Sequence, residues 1–443
     1  MHSVVCILPP EIVCKFYGYI HAPMRLHKLG DFPWHLGQIC SSWRSIFHSM
    51  TSNFWNRLDI NLFVMDKYDD PELVRHHYDA MLLALRYFLD HTRGQPFSFQ
   101  FVTRHVRLVE EIEWSARLFE LLVAESIRWR EIKIQISNSL MPILYKAKHH
   151  MPLLSSAQVG QDSWGPDPKR IHDLFEDVPH LTCLELAPFS SWRINWASLR
   201  ILKFSAGCES NDELLSALGQ AKRLEKLAIY QWLGHIFYPD RSPISLPNLK
   251  VLSTSRVELL PLFQTPSLEE LYILHRLDDL ISEYKVVYFL TRSSCQLRCL
   301  GVFNCCADSL AAILRFTPDL LHLILDDNKD MVKSFNNLAF SHSKAPLACH
   351  LRSLMVIERK FSFAEIMELA ALLASRTERV EATSVVELQK LIVITSAISG
   401  LDECSTAVET LRQQCLEHGV EFTAQYVPDM SWTYYDNTSI LDW

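Results

Sequence analysis

Ten copies of one short pattern constrain the fold of this chain more than any other feature. Each copy has an apolar residue, two variable residues, an apolar residue, one variable residue and a last, mostly apolar residue. The copies are WREIKI (from residue 129), LSSAQV (154), LTCLEL (181), LRILKF (199), LEKLAI (224), LKVLST (249), LEELYI (268), LRCLGV (297), LLHLIL (320) and LRSLMV (351). The alternation inside each copy predicts a short strand with one buried face. Repeated copies predict a stack in which each unit buries its apolar residues against its neighbours.

The spacing of the copies indicates the class of repeat. Successive copies start between 18 and 31 residues apart, with a mean near 25, and leucine-rich repeats have periods of ~20–29 residues. We therefore predict an α/β fold with an irregular leucine-rich-repeat-like solenoid, in which parallel strands are each followed by a helix or an irregular segment. The irregularity is expected because no consistent Asn follows the last apolar position. An ordinary α/β domain with parallel strands is the alternative.

Helix and strand signals also precede the repeats. Residues 69–94 have apolar positions at helical spacing, with Asp70 as a cap, Pro71 in the first turn and Gly94 at the end. The segment QPFSFQF that follows alternates phenylalanines with polar residues and predicts a half-buried strand. Residues 106–136 then predict a helix followed by a strand.

Two further helices are predicted after residue 360. The segments FSFAEIMELAALLASR and TAVETLRQQCLEHG both have helical periodicity. Thr406 and Glu409 have the spacing of a capping box at the start of the second helix, and Gly419 fits its end.

The first sixty residues contain short and unusually apolar helices. The segment ILPPEIVCKFYGYI begins with prolines that fit a first helical turn, and LGQICSSWRSIFHSM (36–50) has apolar residues at steps of three and four. Asp31 and Pro33 suit the cap and first turn of the second helix. Units this small bury too little surface to be stable alone. Either a partner protein or the rest of the chain must therefore cover their apolar faces.

The order and spacing of these residues resemble the F-box of mushroom-type fungal proteins. The residues that match the start of the F-box pattern are Leu8, Pro9, Pro10, Glu11 and Ile12; those that match its centre are Ile39, Cys40, Trp43 and Arg44; Phe54 and Trp55 match its end. Ile39 and Phe54 stand where Val and Leu are common in that family. RYFLDHTRGQPFSFQF and IRWREIKIQI resemble the region that follows the F-box in the same family.

The resemblance implies an organisation and a function. It implies a short all-helical F-box at 1–60, a helical linker with the first strand at 61–128, a repeat domain at 129–425 and a tail at 426–443. The F-box would bind a Skp-type adaptor and through it a cullin, and the repeats would hold a target protein for ubiquitination. The expected adaptor contacts are Leu8, Pro9, Pro10, Ile12, Ile39, Cys40 and Trp43, with Trp55 as internal packing.

The alternative function is a repeat scaffold for protein interactions that has no ubiquitin ligase role. In that case the N-terminal helices would only cap the end of the solenoid, since exposed end repeats need protection. The sequence does not identify the residues that bind a target, because a solenoid sets its binding surface by variable side chains on one face.

Composition and motifs indicate a non-catalytic intracellular protein. The net charge of −8 gives no electrostatic reason to expect nucleic acid or an anionic membrane. Glycine-rich phosphate loops, Gly-x-Ser-x-Gly, His-Glu-x-x-His and dinucleotide motifs are absent from the sequence. The twelve cysteines include no Cys-x-x-Cys pair, and the densest group, Cys295, Cys299, Cys305 and Cys306, has no histidine within it. We expect no enzyme activity, cofactor or metal, and reduced thiols in the cytoplasm or nucleus.

The sequence predicts neither a signal peptide nor a membrane span. The residues after Met1 lack a basic region followed by an apolar segment, so no signal peptide is predicted. The apolar segment LIVITSAISGL (391–401) is about half the ~20 residues that a membrane span needs.

Overall fold

The computed structural model describes most of the chain. The described residues are 9–19, 23–28, 40–49, 55–62, 70–103, 109–161, 173–189, 193–206, 211–232, 242–274, 283–326, 330–339, 347–377, 386–398 and 401–426. The chain is a mixed α/β protein with two compact units, Met1–Ala221 and Lys222–Trp443.

The first unit contains a parallel sheet whose strands follow one another in chain order. Its elements are α1 (Pro10–Tyr19), β1 (Met24–Arg25), α2 (Ser41–Ser49), β2 (Arg57–Asn61), α3 (Pro71–His91), β3 (Phe97–Val102), α4 (Val109–Ala124), β4 (Trp129–Ile136), α5 (Met141–Tyr145), β5 (Ser156–Gln161), β6 (Cys183–Phe189), β7 (Ile201–Ala206) and α6 (Asn211–Gln220). Strands β1 to β7 pair in that order, each parallel to the next.

The second unit has the same plan. Its elements are β8 (Lys226–Trp232), β9 (Ile244–Ser245), β10 (Val251–Thr254), β11 (Phe263–Gln264), β12 (Glu270–Ile273), α7 (Glu283–Ser293), β13 (Cys299–Phe303), α8 (Ala307–Arg315), β14 (His322–Asp326), α9 (Met331–Leu338), β15 (Ser353–Phe361), α10 (Phe363–Thr377), β16 (Lys390–Ile398), α11 (Leu401–Glu417) and β17 (Glu421–Tyr426). The main sheet runs β8, β10 and then β12 to β17, all parallel, while β9 pairs separately with β11.

All ten copies of the apolar pattern form strands, which confirms that part of the prediction. Nine of these strands begin at the third residue of their copy, and β4 begins at the first. One hydrogen-bond arrangement recurs at the strand starts: the carbonyl of Glu269 accepts from the N–H groups of Arg298 (2.8 Å) and Cys299 (3.0 Å). The carbonyl of Arg298 accepts in the same way from Leu321 and His322, at 2.8 and 2.9 Å. This repetition keeps every strand in the same register.

The proline before several strands forms a tight turn. In the segment from Thr317 to Leu320, the N–H of Leu320 donates to the carbonyl of Thr317 over 3.2 Å, and Pro318 occupies the second position of the turn. Proline is favoured there because its fixed φ matches the turn. The first and last residues of this turn are buried, whereas the two between them are exposed. The turn therefore fixes Leu320, the buried leucine that begins the LLHLIL copy two residues before β14.

The predicted helix ends are partly confirmed. Asp70 accepts a hydrogen bond from the N–H of Glu72 over 2.9 Å, and Pro71 begins α3. Gly94 follows that helix with a φ of 74°, which favours glycine. The capping box at Thr406 is wrong because α11 already begins at Leu401, so Thr406 lies inside the helix.

A capping box does occur at the start of α10. The carboxylate of Glu365 accepts from the N–H of Ser362 over 2.7 Å, and the hydroxyl of Ser362 accepts from the N–H of Glu365 over 3.3 Å. Gly419 has a φ of 69° just after α11, as predicted.

The first sixty residues are not all helical. Strand β1 lies between α1 and α2, and β2 crosses residue 60; Met24 pairs with Leu58 and Leu58 pairs with Phe99. Alternation of buried and exposed side chains in β2 explains the strand, because Leu58 and Ile60 are buried while Arg57 is exposed. Asp31 and Pro33 lie outside the described residues.

The two faces of the sheet in the second unit differ. Strands that succeed one another in chain order with right-handed crossovers place their connecting helices on one face, and α7 to α11 contact one another in sequence. We call this the helix face. Its side chains form two rows that cross the sheet, one through Leu271, Leu300 and Leu323, the other through Ile273 and residues 302 and 325. The opposite face is called the open face.

A buried arginine, Arg376, braces the helices of the second unit. The guanidinium of Arg376, near the end of α10, donates to the carbonyls of Leu338 (2.9 Å), Leu347 (2.8 Å) and Ala348 (3.2 Å). Its burial without a carboxylate lowers its pKa to about 10. One guanidinium thereby joins the last residue of α9 to residues 347 and 348 through their carbonyls.

Candidate protein-interaction surfaces

The start of α1 presents apolar side chains to solvent. Pro9 and Pro10 are exposed, and the carbonyl of Pro9 accepts from the N–H groups of Ile12 (3.0 Å) and Val13 (3.2 Å). The side chain of Ile12 is 38% exposed, whereas that of Val13 is fully buried. Pro9, Pro10 and Ile12 thus share the exposed side of one helical turn. Leu8 lies outside the described residues.

The second predicted contact region has a different character. Cys40 is half-buried, and its carbonyl accepts from the N–H of Arg44 over 3.0 Å at the start of α2. Trp43 is only 5% exposed and lies on the inner side of the helix with Phe47. Ile39 lies outside the described residues. Cys40 therefore contributes to the exposed surface, and Trp43 packs within the chain.

Aromatic side chains hold the end of this segment. Trp55 is 1% exposed and makes edge-to-face contacts with Phe47 (5.2 Å between centroids), Tyr87 (5.6 Å) and Phe88 (6.4 Å). Because Tyr87 and Phe88 belong to α3, these contacts join α2 to the third helix. Trp55 is internal, as the sequence predicts.

A buried histidine fixes the segment between α1 and α2. The N–H of Asn61 in β2 donates to Nδ1 of His27 over 3.1 Å. Burial lowers the pKa of His27, and burial raises the pKa of the neighbouring Asp59. The ring is neutral in this arrangement, because Nδ1 must be unprotonated to accept the hydrogen bond from the backbone N–H. The sequence predicted no role for His27.

The open face of the second unit carries an apolar cluster. Its members are Val251, Tyr272, Cys299, Ile324, Ile357, Ile392 and Ile394, each less than a tenth exposed, with Leu274 and Met355 partly buried beside them. In the described part of the chain, α7 to α11 pack on the other face, so this cluster is separate from the core under the helices. The open face therefore combines apolar chemistry with a position that the helices leave unoccupied.

A glycine shapes the centre of the open face. Gly301 lies opposite Tyr272 in the sheet, and a Cβ at Gly301 would come within 2.7 Å of Cδ1 of the tyrosine ring. Glycine at this position therefore allows the ring to lie flat across the neighbouring strand.

Polar groups border the cluster at the strand starts. The Tyr272 hydroxyl donates to Oε2 of Glu270 over 2.9 Å and lies 3.4 Å from Sγ of Cys299. Burial raises the pKa of Cys299 to about 11 and lowers the pKa of His322, which follows Cys299 in the same row of the sheet. The Cys299 thiol is uncharged at neutral pH and is a poor nucleophile. Of these groups, Glu270 is half-buried and His322 is exposed, so both are accessible to solvent.

Two findings concern other kinds of site. Among the described residues, no group of three or more His, Cys, Asp or Glu side chains is arranged to hold a metal ion. Within the same part of the chain, every helix is too short or too polar to cross a lipid bilayer.

Neither known protein families nor curated proteins show a significant match to this chain.

The sequence contained one signal for the open face that the repeat pattern does not use. In LLHLIL and LRSLMV, the variable position between the last two apolar residues is itself apolar, at Ile324 and Met355, and Ile392 occupies the equivalent position between Leu391 and Val393. Those positions point away from the helix face. Apolar residues on both faces of successive strands thus mark this part of the sheet.

Proposed function

We propose that the chain is the substrate-recognition subunit of an SCF-type (Skp–cullin–F-box) ubiquitin ligase. Its N-terminal helices bind a Skp-type adaptor and through it a cullin, and its repeats form an irregular leucine-rich-repeat-like solenoid that holds a target protein in the cytoplasm or nucleus. The chain makes and breaks no bonds itself. It raises the effective concentration of the target's lysines at the ubiquitin-carrying subunit.

The exposure of Ile12 beside buried Val13 carries the adaptor half of the proposal. A large apolar side chain with 38% of its surface in water, next to two exposed prolines, supports a contact with another protein. These are the positions at which the F-box resemblance expects adaptor contacts. Cys40 is a further expected adaptor contact. Trp43 is buried, so it supports this surface from within the chain.

The open face supports the target half of the proposal. An apolar centre bordered by polar groups is the usual composition of a protein interface. Leu274 and Met355, which are partly buried beside the cluster, supply accessible apolar surface there, and Glu270 and His322 lie at its border. A target with an exposed apolar segment and hydrogen-bonding groups beside it fits this chemistry.

Co-expression with a Skp-type adaptor, followed by size-exclusion chromatography, tests the adaptor half. We expect the two proteins to elute together and the complex to be lost in the double variant Pro9→Ala/Ile12→Ala. The control is Leu83→Ala, which truncates a leucine in α3 that is more exposed (66%) than Ile12. Circular dichroism should be unchanged in both variants. Retention of the complex by the double variant contradicts the proposal.

The packing of Trp55 favours a second candidate function, a repeat scaffold without a ligase role. Phe47 and Trp55 join α2 to α3, and β1 and β2 extend the sheet that continues through β3. This integration suits helices that protect the end of a repeat array. A folded chain that elutes without the adaptor, and with α1 variants indistinguishable from wild type, supports the scaffold.

A further inference from the structure

A cavity lies between the helix face and the last two helices of the second unit. It has a volume of about 130 Å³ and is bounded by β15, β16 and β17 on one side and by α10 and α11 on the other. Ile366, Leu369 and Leu411 close its inner end and are each almost fully buried. Ala424 and Gln425 of β17 are exposed, so the cavity opens at this strand.

The lining of the cavity is almost entirely apolar. Thr395 supplies a polar side-chain group to its wall, and Gln425 lies at the mouth with its side chain on the other face of β17. Bound water requires two to four hydrogen-bond partners, so a cavity lined in this way favours an apolar occupant. An engineered apolar cavity of about 150 Å³ in another protein stays dry and binds benzene. The volume of about 130 Å³ is close to that size.

The walls are preformed, which favours binding further. Every lining residue belongs to a strand or a helix, and β15, β16 and β17 are fixed in register by their backbone pairing. A ligand that enters such a site does not have to order a loop, so little of its binding free energy is lost to conformational entropy.

We propose that this cavity is a binding site for a small apolar ligand, a single aromatic ring or an alkyl group of about six carbon atoms. The apolar body of the ligand fills the end formed by Leu369 and Leu411. A polar substituent points outward through the mouth at β17, toward solvent. This site is distinct from the open face, because its lining belongs to the opposite face of the sheet.

Thermal denaturation of the full chain in the presence of benzene tests the proposal. Benzene at ten times its dissociation constant should raise the melting temperature of the second unit by about 3 °C, since a ligand that binds only the folded state stabilises it. Pyrazine, a ring of the same size with two nitrogen acceptors, should give a much smaller shift. Methyl NMR signals of Val393 and Leu411 should move with benzene, while that of Val302 on another strand should not. Absence of both the thermal and the NMR shifts, up to the solubility limit of benzene, overturns the proposal.

Two substitutions on one strand localise the binding. Ala424→Leu extends a side chain into the mouth and should abolish the benzene shift. Thr423→Leu places the same leucine side chain at the adjacent exposed residue, whose side chain points to the opposite face, and should leave the shift unchanged. If Ala424→Leu impairs folding, Ala424→Val supplies a smaller block, for which at least a tenfold weaker affinity is expected. A folded Ala424 variant that binds benzene as tightly as wild type places the ligand elsewhere and overturns the assignment.

Discussion

From β12 to β16, each strand of the second unit is fixed by the same backbone hydrogen bonds and the same rows of apolar side chains. The segment from Pro9 to Leu62 is fixed differently. There Trp55 contacts four aromatic or imidazole rings, and the ring of His27 receives the N–H of Asn61. The repeats spread their stabilisation over equivalent positions, whereas the N-terminal segment concentrates it in a few side chains. Single substitutions should therefore affect the N-terminal segment more severely.

Trp55→Ala tests this difference with the largest expected effect. Removal of a fully buried indole from its contacts with Phe47, Tyr87 and Phe88 should lower the free energy of unfolding of the first unit by about 4 kcal/mol. Urea denaturation followed by circular dichroism measures it. Leu83→Ala, at an exposed position of α3, should change the same quantity by less than about 0.5 kcal/mol. A loss below about 1 kcal/mol in Trp55→Ala would show that stabilisation is not concentrated there.

A pair of neighbouring residues in β14 sharpens the comparison within the repeats. Leu323 is 1% exposed on the helix face, and Ile324 is 8% exposed on the open face. Leu323→Ala leaves a cavity enclosed by helices and should cost about 3 kcal/mol. Ile324→Ala leaves a depression that neighbouring side chains and water can fill, and should cost about 1 kcal/mol. Equal losses, measured by urea denaturation, would mean that both faces contribute equally to the core.

The repeats were the most predictable part of the fold. The strands at LRCLGV and LLHLIL follow from local alternation, and their parallel order follows from the recurrence of the pattern with a mean spacing near 25 residues. The turn proline at Pro318 was also visible in the sequence, because its conformational preference is local. Strands β1 and β2 were missed because their pairing depends on contacts between Met24 and Leu58, which are distant in sequence.

The candidate sites were less predictable than the strands. Exposure at Ile12 and burial at Val13 depend on which side of α1 meets the rest of the chain, which helical periodicity alone does not decide. The role of Arg376 was missed for the same reason, since its three acceptors come from 338, 347 and 348. The capping box predicted at Thr406 and Glu409 is the opposite case. Its local sequence signature is present, but the helix begins earlier, at Leu401.

Gly301→Ala tests the open face with a smaller effect. The added Cβ would lie 2.7 Å from the ring of Tyr272, so the ring must move from its place beside Glu270 and Cys299. We expect a loss of about 1 kcal/mol in the free energy of unfolding, comparable to other overpacked sites. Gly160→Ala is the matched control in β5, where the nearest atom is 3.7 Å away and no loss is expected. An equal change in the free energy of unfolding in Gly301→Ala and Gly160→Ala would contradict the proposed role of Gly301.

The smallest expected effect concerns pH and the N-terminal segment. Burial lowers the pKa of His27 below its usual 6.5, so the unfolded chain binds the proton more readily than the folded one. Stability from His27 is therefore complete above pH 6.5 and is lost as the pH falls from that value through the folded pKa. Protonation also removes the acceptor for the N–H of Asn61. Unfolding at pH 7.0 and pH 5.5 should show a smaller loss on acidification in His27→Gln than in wild type.

The difference in acid sensitivity between wild type and His27→Gln is the informative quantity, because other charged groups also face the imidazole ring of His27. Arg25 and Lys28 also disfavour its protonation, whereas Asp59 favours it. The pKa of Asp59 is itself raised by burial, so protonation of Asp59 stabilises the folded state and acts against the loss from His27. The repeats of the second unit provide the internal reference, since Leu323→Ala should leave the pH dependence unchanged. Identical acid sensitivity in wild type and His27→Gln would show that the segment before β2 is not held through this imidazole.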